Sequence, residues 1–417
     1  MIKRIRICNL SLCFILLLGI LTGCWDKREI EELSYVIGIG IDKAEKEGQI
    51  KVTYLFANPE VGSSLIGGTA NEPARETLTF TANDYISARN TANSMIPREI
   101  IYDLLRIIVV SEEMARDENF IKIIYDTIKD REIRRDVHLA VSKENASEYL
   151  NKNNPKIDTR PHKYFQFMIN RGVETGMIPD SDLHRFYLIT EQDADLYLSI
   201  YTSAIREDTK TENEDEYIAG QLPTKGEANK TQFFGSAVFK EGKMIGTLDG
   251  EETRIAGILD ETTDLNDVLT TFPDPFNEKE RISTRVIKKE RNKVKMNLRG
   301  SKPKIRIEIP LIVEVLSDPE MVDYAENEKN REILKRKITE SLNNIYRQFI
   351  KKSQEEFKAC PFSLSEEARK YFKTIKEFED FDWMKSYPEM DIEVSVKIRL
   401  GEFGEQTKLP SLKETRD

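Results

Sequence analysis

The stretch Leu104-Leu105-Arg106-Ile107-Ile108-Val109-Val110 carries a single charge among apolar residues. Both alternating faces of such a run are apolar, which predicts a strand covered on two sides, as in the parallel sheets of α/β proteins. Its surroundings agree. Upstream, Asp84 can cap a helix whose Tyr85, Ala88, Ala92 and Met95 share one face, and Pro97 follows its end. Downstream, Ile121, Ile124, Tyr125 and Ile128 recur at helical spacing, after which Val137, Leu139 and Val141 alternate. Strand, helix and strand with short links predict a crossover, right-handed by the general rule.

Toward the N-terminus, residues 35–56 predict a hairpin. Val36 to Ile41 is apolar with Gly38 and Gly40 interspersed, while Ile50, Val52, Tyr54 and Phe56 alternate with polar residues. Lys43 to Gly48 forms the charged turn between them. Residues 59–73, rich in glycine and serine, predict an exposed loop, and Thr77–Phe80 a short strand. His162–Thr175 predicts a helix. A boundary is expected at 206–230, where Glu207, Asp208, Glu212, Glu214, Asp215 and Glu216 precede Gly220, Pro223 and Gly226. This composition predicts an acidic linker or long loop.

The C-terminal half orders its elements differently. Phe233–Phe239 and Met244–Leu248 predict strands, Glu251–Leu259 a short helix, and Val294, Met296 and Leu298 another strand. Ile305, Ile307, Ile309, Leu311, Val313 and Val315 make one period-two face, on which Pro310 predicts an edge or bulge position. A long helix is expected near 325–352, with Leu334, Ile338, Leu342, Ile345, Tyr346, Phe349 and Ile350 as its apolar stripe. Ser363 and Glu366 form a capping-box pattern ahead of a helix carrying Tyr371, Phe372, Ile375 and Phe378 on one side. Ile392, Val394, Val396, Ile398 and Leu400 close the chain as a strand. The fold class is therefore mixed α+β and multi-domain: an α/β N-terminal half, then a C-terminal antiparallel sheet packed against long helices. A chain of 417 residues also exceeds what one core usually organises.

One segment departs from this globular pattern. Lys3, Arg4 and Arg6 precede an uncharged apolar run at 10–20, and Leu21-Thr22-Gly23-Cys24 matches the bacterial lipobox. A basic n-region before a short apolar h-region is a secretory signal. Cys24 is thus expected to be the first mature residue, carrying diacylglycerol and an N-acyl chain, and two chains anchor stably where one does not. The expected division is a signal peptide at 1–23, an N-terminal α/β region at 24–205 divisible into two subdomains, the 206–230 segment, a C-terminal α+β domain at 231–403, and a polar tail at 404–417. Removing residues 1–23 deepens the net charge from −10 to −13. That acidity argues against nucleic-acid binding. Cys8 and Cys13 leave with the signal and Cys24 takes lipid, so Cys360 remains as a packed thiol.

Motifs for catalysis are missing. Gly38-Ile39-Gly40-Ile41-Asp42 lacks the third glycine of a dinucleotide turn. No Walker A sequence or G-x-S-x-G elbow occurs, and His138, His162 and His184 stand in no metal-protease frame. No cofactor and no catalytic or metal-ligating residue is expected.

A family resemblance emerges from several stretches together. Cys24-Trp25-Asp26-Lys27-Arg28-Glu29-Ile30-Glu31-Glu32-Leu33, followed by Val36-Ile37-Gly38-Ile39-Gly40-Ile41-Asp42-Lys43, resembles the mature N-terminus of the Ger(x)C-type lipoproteins, the C subunits of spore germinant receptors. Leu105 to Glu113, Arg131 to Arg134 and Ala237 to Thr253 resemble later family segments in the same order. The resemblance implies a three-domain α/β lipoprotein on the outer face of the spore inner membrane. It also implies a complex with integral-membrane A and B subunits that detects nutrients, and lipidation of Cys24 as the one transferable site. A solute-binding lipoprotein of an uptake system is the alternative, although only one convincing βαβ crossover is visible. An exported hydrolase is a third reading. Which germinant is sensed, and whether this subunit binds a small molecule, does not follow from the residues.

Overall fold

A computed structural model describes residue 29 and residues 32–57, 75–157, 160–207, 209–211, 213–265, 267–300 and 302–403. Cys24, the 59–73 loop and the 404–417 tail lie outside the described residues, apart from the loop-flanking strands. Two sheets organise the chain.

The first has nine strands: β1 (Leu33–Lys43), β2 (Ile50–Ala57), β3 (Arg75–Ala82), β4 (Glu99–Ile101), β5 (Ile107–Ser111), β6 (His138–Ser142), β7 (Tyr197–Ser203), β8 (Gln232–Lys240) and β9 (Lys243–Leu248). Their order is β3-β2-β1-β5-β6-β7-β8-β9, with β4 also on β1. β1, β5, β6 and β7 run parallel, and antiparallel pairs β1/β2/β3 and β7/β8/β9 flank them. The parallel centre explains the apolar run that opened the sequence reading. Ile108 and Val110 pack on one face, under Tyr85 and Ala88 of α1 (Tyr85–Ala92). The same face carries Met114 of α2 (Glu112–Ala115) and Phe120 of α3 (Phe120–Asp126). Ile107 and Val109 point the other way, against Tyr149 and Leu150 of α4 (Ala146–Lys152) and Phe165 of α5 (Pro161–Glu174). Asp84 caps α1 through Ser87 N–H at 2.7 Å. That helix stops at Ala92, so Met95 is exposed rather than part of the buried face.

The second sheet contains β10 (Asp267–Pro273), β11 (Arg281–Ile287), β12 (Lys293–Asn297), β13 (Lys304–Ser317) and β14 (Asp391–Leu400). In the chain α6 (Leu183–Gln192) lies between β6 and β7, α7 (Gly250–Leu259) between β9 and β10, and α8 (Glu328–Lys352) after β13. Leu334, Ile338, Leu342, Tyr346, Phe349 and Ile350 of α8 lie on the core side, as the stripe predicts. β13 and β14 pair in parallel, so this sheet is mixed rather than wholly antiparallel.

Three details differ from the sequence reading. β8 and β9 lie on the C-terminal side of 231 yet pair with β7, so the first sheet runs across the 206–230 segment. Pro310 is in a central strand rather than at an edge. β12 pairs with β13 only up to Glu308 and β11 only from Ile312 onward, so that flank has no strand partner at position 310. The helix expected after Ser363 is divided into α9 (Leu364–Arg369), α10 (Ile375–Phe381) and α11 (Trp383–Ser386). Ser363 makes no cap bond; Thr374 caps α10 through Glu377 N–H at 3.1 Å. Tyr371 and Ile375 fall outside any buried stripe and are exposed.

Candidate functional site at the domain junction

Three polar knots join the two halves, each built on a short carboxylate at the end of an element. The first starts in the acidic 206–230 segment. Asp215 sits in a one-turn 3₁₀ helix and is buried, as is Arg254 of α7, and their carboxylate and guanidinium meet at 2.7 Å. Thr270 of β10 donates to the second Asp215 oxygen at 2.6 Å, and Arg254 Nε donates to the Thr175 carbonyl at 3.2 Å. The segment is thus a long loop that is partly packed, not a uniformly solvated linker. Gln232 holds it from β8, its side-chain oxygen accepting from Gly220 N–H at 2.7 Å and Leu222 N–H at 3.1 Å.

The second knot is Asp195, just ahead of β7. Its carboxylate accepts from Ser365 N–H at 3.2 Å, Ser365 Oγ at 2.5 Å and Trp383 Nε1 at 3.2 Å. Burial pushes the Asp195 pKa up to about 7, against hydrogen bonds that hold it down. Beside it Leu196 N–H donates to the Cys360 carbonyl at 2.7 Å. Cys360 is buried, its thiol donates to the Phe362 carbonyl at 2.9 Å, and burial pushes its pKa well up. A thiol so placed is held in its protonated, unreactive form, in keeping with the packed-thiol reading.

The third knot pairs Arg185 of α6 with Asp260, which follows α7, at 3.3 Å, and with Thr262 Oγ1 at 3.1 Å. Ser363 also reaches Asp260, at 3.2 Å. A cavity of about 180 Å³ opens here between Gly176, Arg185, Tyr197, Thr253, Asp260 and Leu265. Gly176 has φ of +69°, and a Cβ there would meet Arg254 at 3.0 Å and Leu265 at 3.2 Å, so glycine is needed both for the turn and for the close approach.

The polar contacts of this region hold its elements against one another. Neither Cys360 nor Ser365 has a histidine among its hydrogen-bond partners in the described residues. His138 Nδ1 stands 3.9 Å from Asp180, and burial pushes its pKa down, favouring the neutral ring. His162 is likewise pushed down, by burial and then by Lys163 and Arg160. Among the described residues no three His, Cys, Asp or Glu side chains converge as a metal-ligand set. Sequence reasoning named Cys24, which lies outside the described residues, read Asp215 only as part of the acidic segment, and did not single out Asp195, Arg254 or Arg185. Single acidic residues next to strands carry no motif; their partners lie far away in the chain.

Fold and junction define a class: a two-sheet α/β protein whose halves are locked by buried polar contacts. The chain belongs to the Ger(x)C-type spore germination protein family. Residues 26–203 match its "Spore germination protein N-terminal domain", and residues 234–404 match "Spore germination B3/ GerAC like, C-terminal". Among relatives in Bacillus subtilis (strain 168), spore germination protein B3 is 24% identical over 405 residues, covering 94% of this chain and 97% of the relative. Spore germination protein KC is 24% identical over 416 residues, covering 96% and 97%. The crystal structure of the GerBC protein superposes with a TM-score of 0.53 at 20% identity, covering 89% of this chain and 99% of that one, which establishes the shared fold. The protein thus has a role in spore germination.

Proposed function

We propose that the protein is the lipid-anchored C subunit of a nutrient germinant receptor, held through Cys24 on the outer face of the spore inner membrane beside integral-membrane A and B subunits. One observation carries this reading: the two family matches together fill the chain directly behind the Leu21–Cys24 lipobox. In the described residues no helix is long and apolar enough to cross a membrane, and an anchor at Cys24 would supply attachment by itself. Tethering raises effective concentration near membrane partners to roughly millimolar, so weak contacts suffice. The subunit then works by contact and positioning rather than by turnover.

The test is a Cys24→Ala chain in spores. The expected outcome is loss of the protein from the membrane fraction and slower germination with nutrients. A variant that remains membrane-bound and germinates normally would count against the anchor. Calorimetry of the chain with amino acids and sugars addresses the uptake alternative, for which tight one-to-one binding would speak.

A further inference from the structure

The cavity of about 180 Å³ at the domain junction is built by both halves of the chain. Ile178, Ile189 and Leu196 line it from the first half, and Leu265 and Pro361 from the second. Two glycines keep it open. A Cβ on Gly257 of α7 would meet Leu265 Cδ2 at 3.0 Å, and one on Gly176 would meet the same side chain at 3.2 Å. Junctions between domains are preferred places for small-molecule sites. An apolar cavity of roughly 150 Å³ takes one benzene, so this one holds about six or seven non-hydrogen atoms.

Most polar side chains around it are already committed within the protein. Tyr197 donates its hydroxyl to the Ser181 carbonyl at 2.8 Å, Thr253 Oγ1 pairs with Ser236 Oγ at 2.8 Å, and Thr263 Oγ1 donates to the Gly257 carbonyl at 3.2 Å. Asp260 uses both oxygens, Oδ1 for Thr262 Oγ1 at 2.6 Å and Oδ2 for Arg185 Nη2 at 3.3 Å. The charge of Arg185 is thereby matched, and the neighbouring Arg254 is held by Asp215. Two carboxylates at the opening are different. Asp264 is exposed and Asp180 partly so, and neither has a lysine or arginine at ion-pair distance among the described residues. His138 Nδ1 stands 3.9 Å from Asp180 without a hydrogen bond, and burial favours its neutral ring. An interior that offers few free hydrogen-bonding groups selects an apolar body, and an unbalanced negative mouth selects a positive head.

We propose that this cavity binds a small alkylammonium ion, its short branched chain inside and its ammonium in the mouth lined by Asp180 and Asp264. An ammonium carries three donors and no acceptor, so it can meet a carboxylate and still keep water on its open side. Neither carboxylate has to hold it alone, since together they make the whole opening negative. A chain of about five carbons fills the space available. An amino acid with the same side chain is disfavoured. Its carboxylate would find Arg185 already paired with Asp260 and would enter against two like charges. The site needs nothing from the anchor at Cys24.

The experiment is a ligand-observed NMR titration of the full chain, detergent-solubilised at neutral pH, with 3-methylbutylammonium chloride. Saturable binding is expected, with a dissociation constant on the order of 10⁻³ M for so few atoms. The alcohol 3-methyl-1-butanol, the same body without the charge, should bind several-fold more weakly, and leucine more weakly than the amine. Asp180→Asn combined with Asp264→Asn, both at exposed or partly exposed positions, should fold and bring the amine down to the affinity of the alcohol, with the alcohol unchanged. Gly257→Ala keeps α7 helical but adds a methyl group to the cavity wall, and should weaken amine and alcohol alike. No saturable binding of the amine by the folded chain would overturn the proposal. So would equal binding of amine and alcohol, leucine binding as tightly as the amine, or a full preference for the amine in the double variant. Binding that survives Gly257→Ala unchanged would put the amine in the detergent or elsewhere on the surface, which also overturns it.

Discussion

Asp42 has both carboxylate oxygens committed. It accepts from Ala146 N–H at 2.6 Å and Ser147 N–H at 2.9 Å, so it caps α4 from a strand 104 residues earlier. Gly40, two residues before it on β1, makes room for that helix: a Cβ would meet Leu150 at 3.0 Å and Ala146 at 3.3 Å. The Gly40-Ile41-Asp42 run therefore has a structural reason. It docks a helix closely and then satisfies its first N–H groups. Replacing Asp42 with Ala leaves two buried donors unpaired, each costing about 1–3 kcal/mol. Urea denaturation should show a loss of about 2–4 kcal/mol for Asp42→Ala and roughly half that for Asp42→Asn, which keeps one acceptor. Equal losses for the two would show that packing, not capping, is the issue.

Elements were legible in the sequence where their periodicity was local. β2, β13, β14 and α8 follow from alternation or a helical stripe, because each residue's burial is set by the face it occupies. Pairing was less legible. Nothing in Gln232–Leu248 announces that β8 will join β7, since strand choice depends on contacts distant in sequence. Pro310 misled for the same reason: its edge signal reflects an actual gap between β12 and β11 that only the register shows. In the Ser363–Phe381 region Ser363 stands at the N-cap of α9 as its pattern predicts, though without a side-chain cap bond, and a second helix starts further on. Thr374-Ile375-Lys376-Glu377 is also a capping box in sequence, and Glu377 reaches back to Lys373 N–H at 2.9 Å. Thr374→Ala should therefore lower stability by about 1 kcal/mol, measured as a shift in the denaturation midpoint with the far-UV signal otherwise kept. The junction residues had no local pattern, so that site was invisible in sequence, and the one short motif read there as a site, the lipobox at Cys24, lies outside the described residues.

At the scale of the molecule, the junction should respond to pH through Asp195. Its pKa rises from 3.8 unfolded to about 7 folded, so the native state binds the extra proton between those values. Stability from this group is fully present below about pH 4 and is lost as pH rises toward 7. Asp249 and Glu251, each pushed up to about 7 mainly by burial, act in the same direction. Asp195→Asn stays uncharged and keeps an acceptor for Ser365 and Trp383, so the decline in stability from pH 4 to 7 should become shallower without vanishing. Denaturation curves at pH 4, 5.5 and 7 would reveal this; an unchanged slope would mean that the hydrogen bonds keep Asp195 ionised throughout.

The continuity of the first sheet has a further consequence for how the protein can be divided. The two inherited units end at 203, with β7, and begin at 234, inside β8, whereas β7 and β8 are joined by one hydrogen-bonded ladder with a single register shift between Ile200 and Thr202. Heredity and folding partition this chain at different places. A fragment ending at residue 205 would expose a bare β7 edge, and one starting at 231 would carry β8 and β9 with no strand to continue. A chain nicked in the intervening loop, by contrast, would stay together, each piece serving as the template that completes the other.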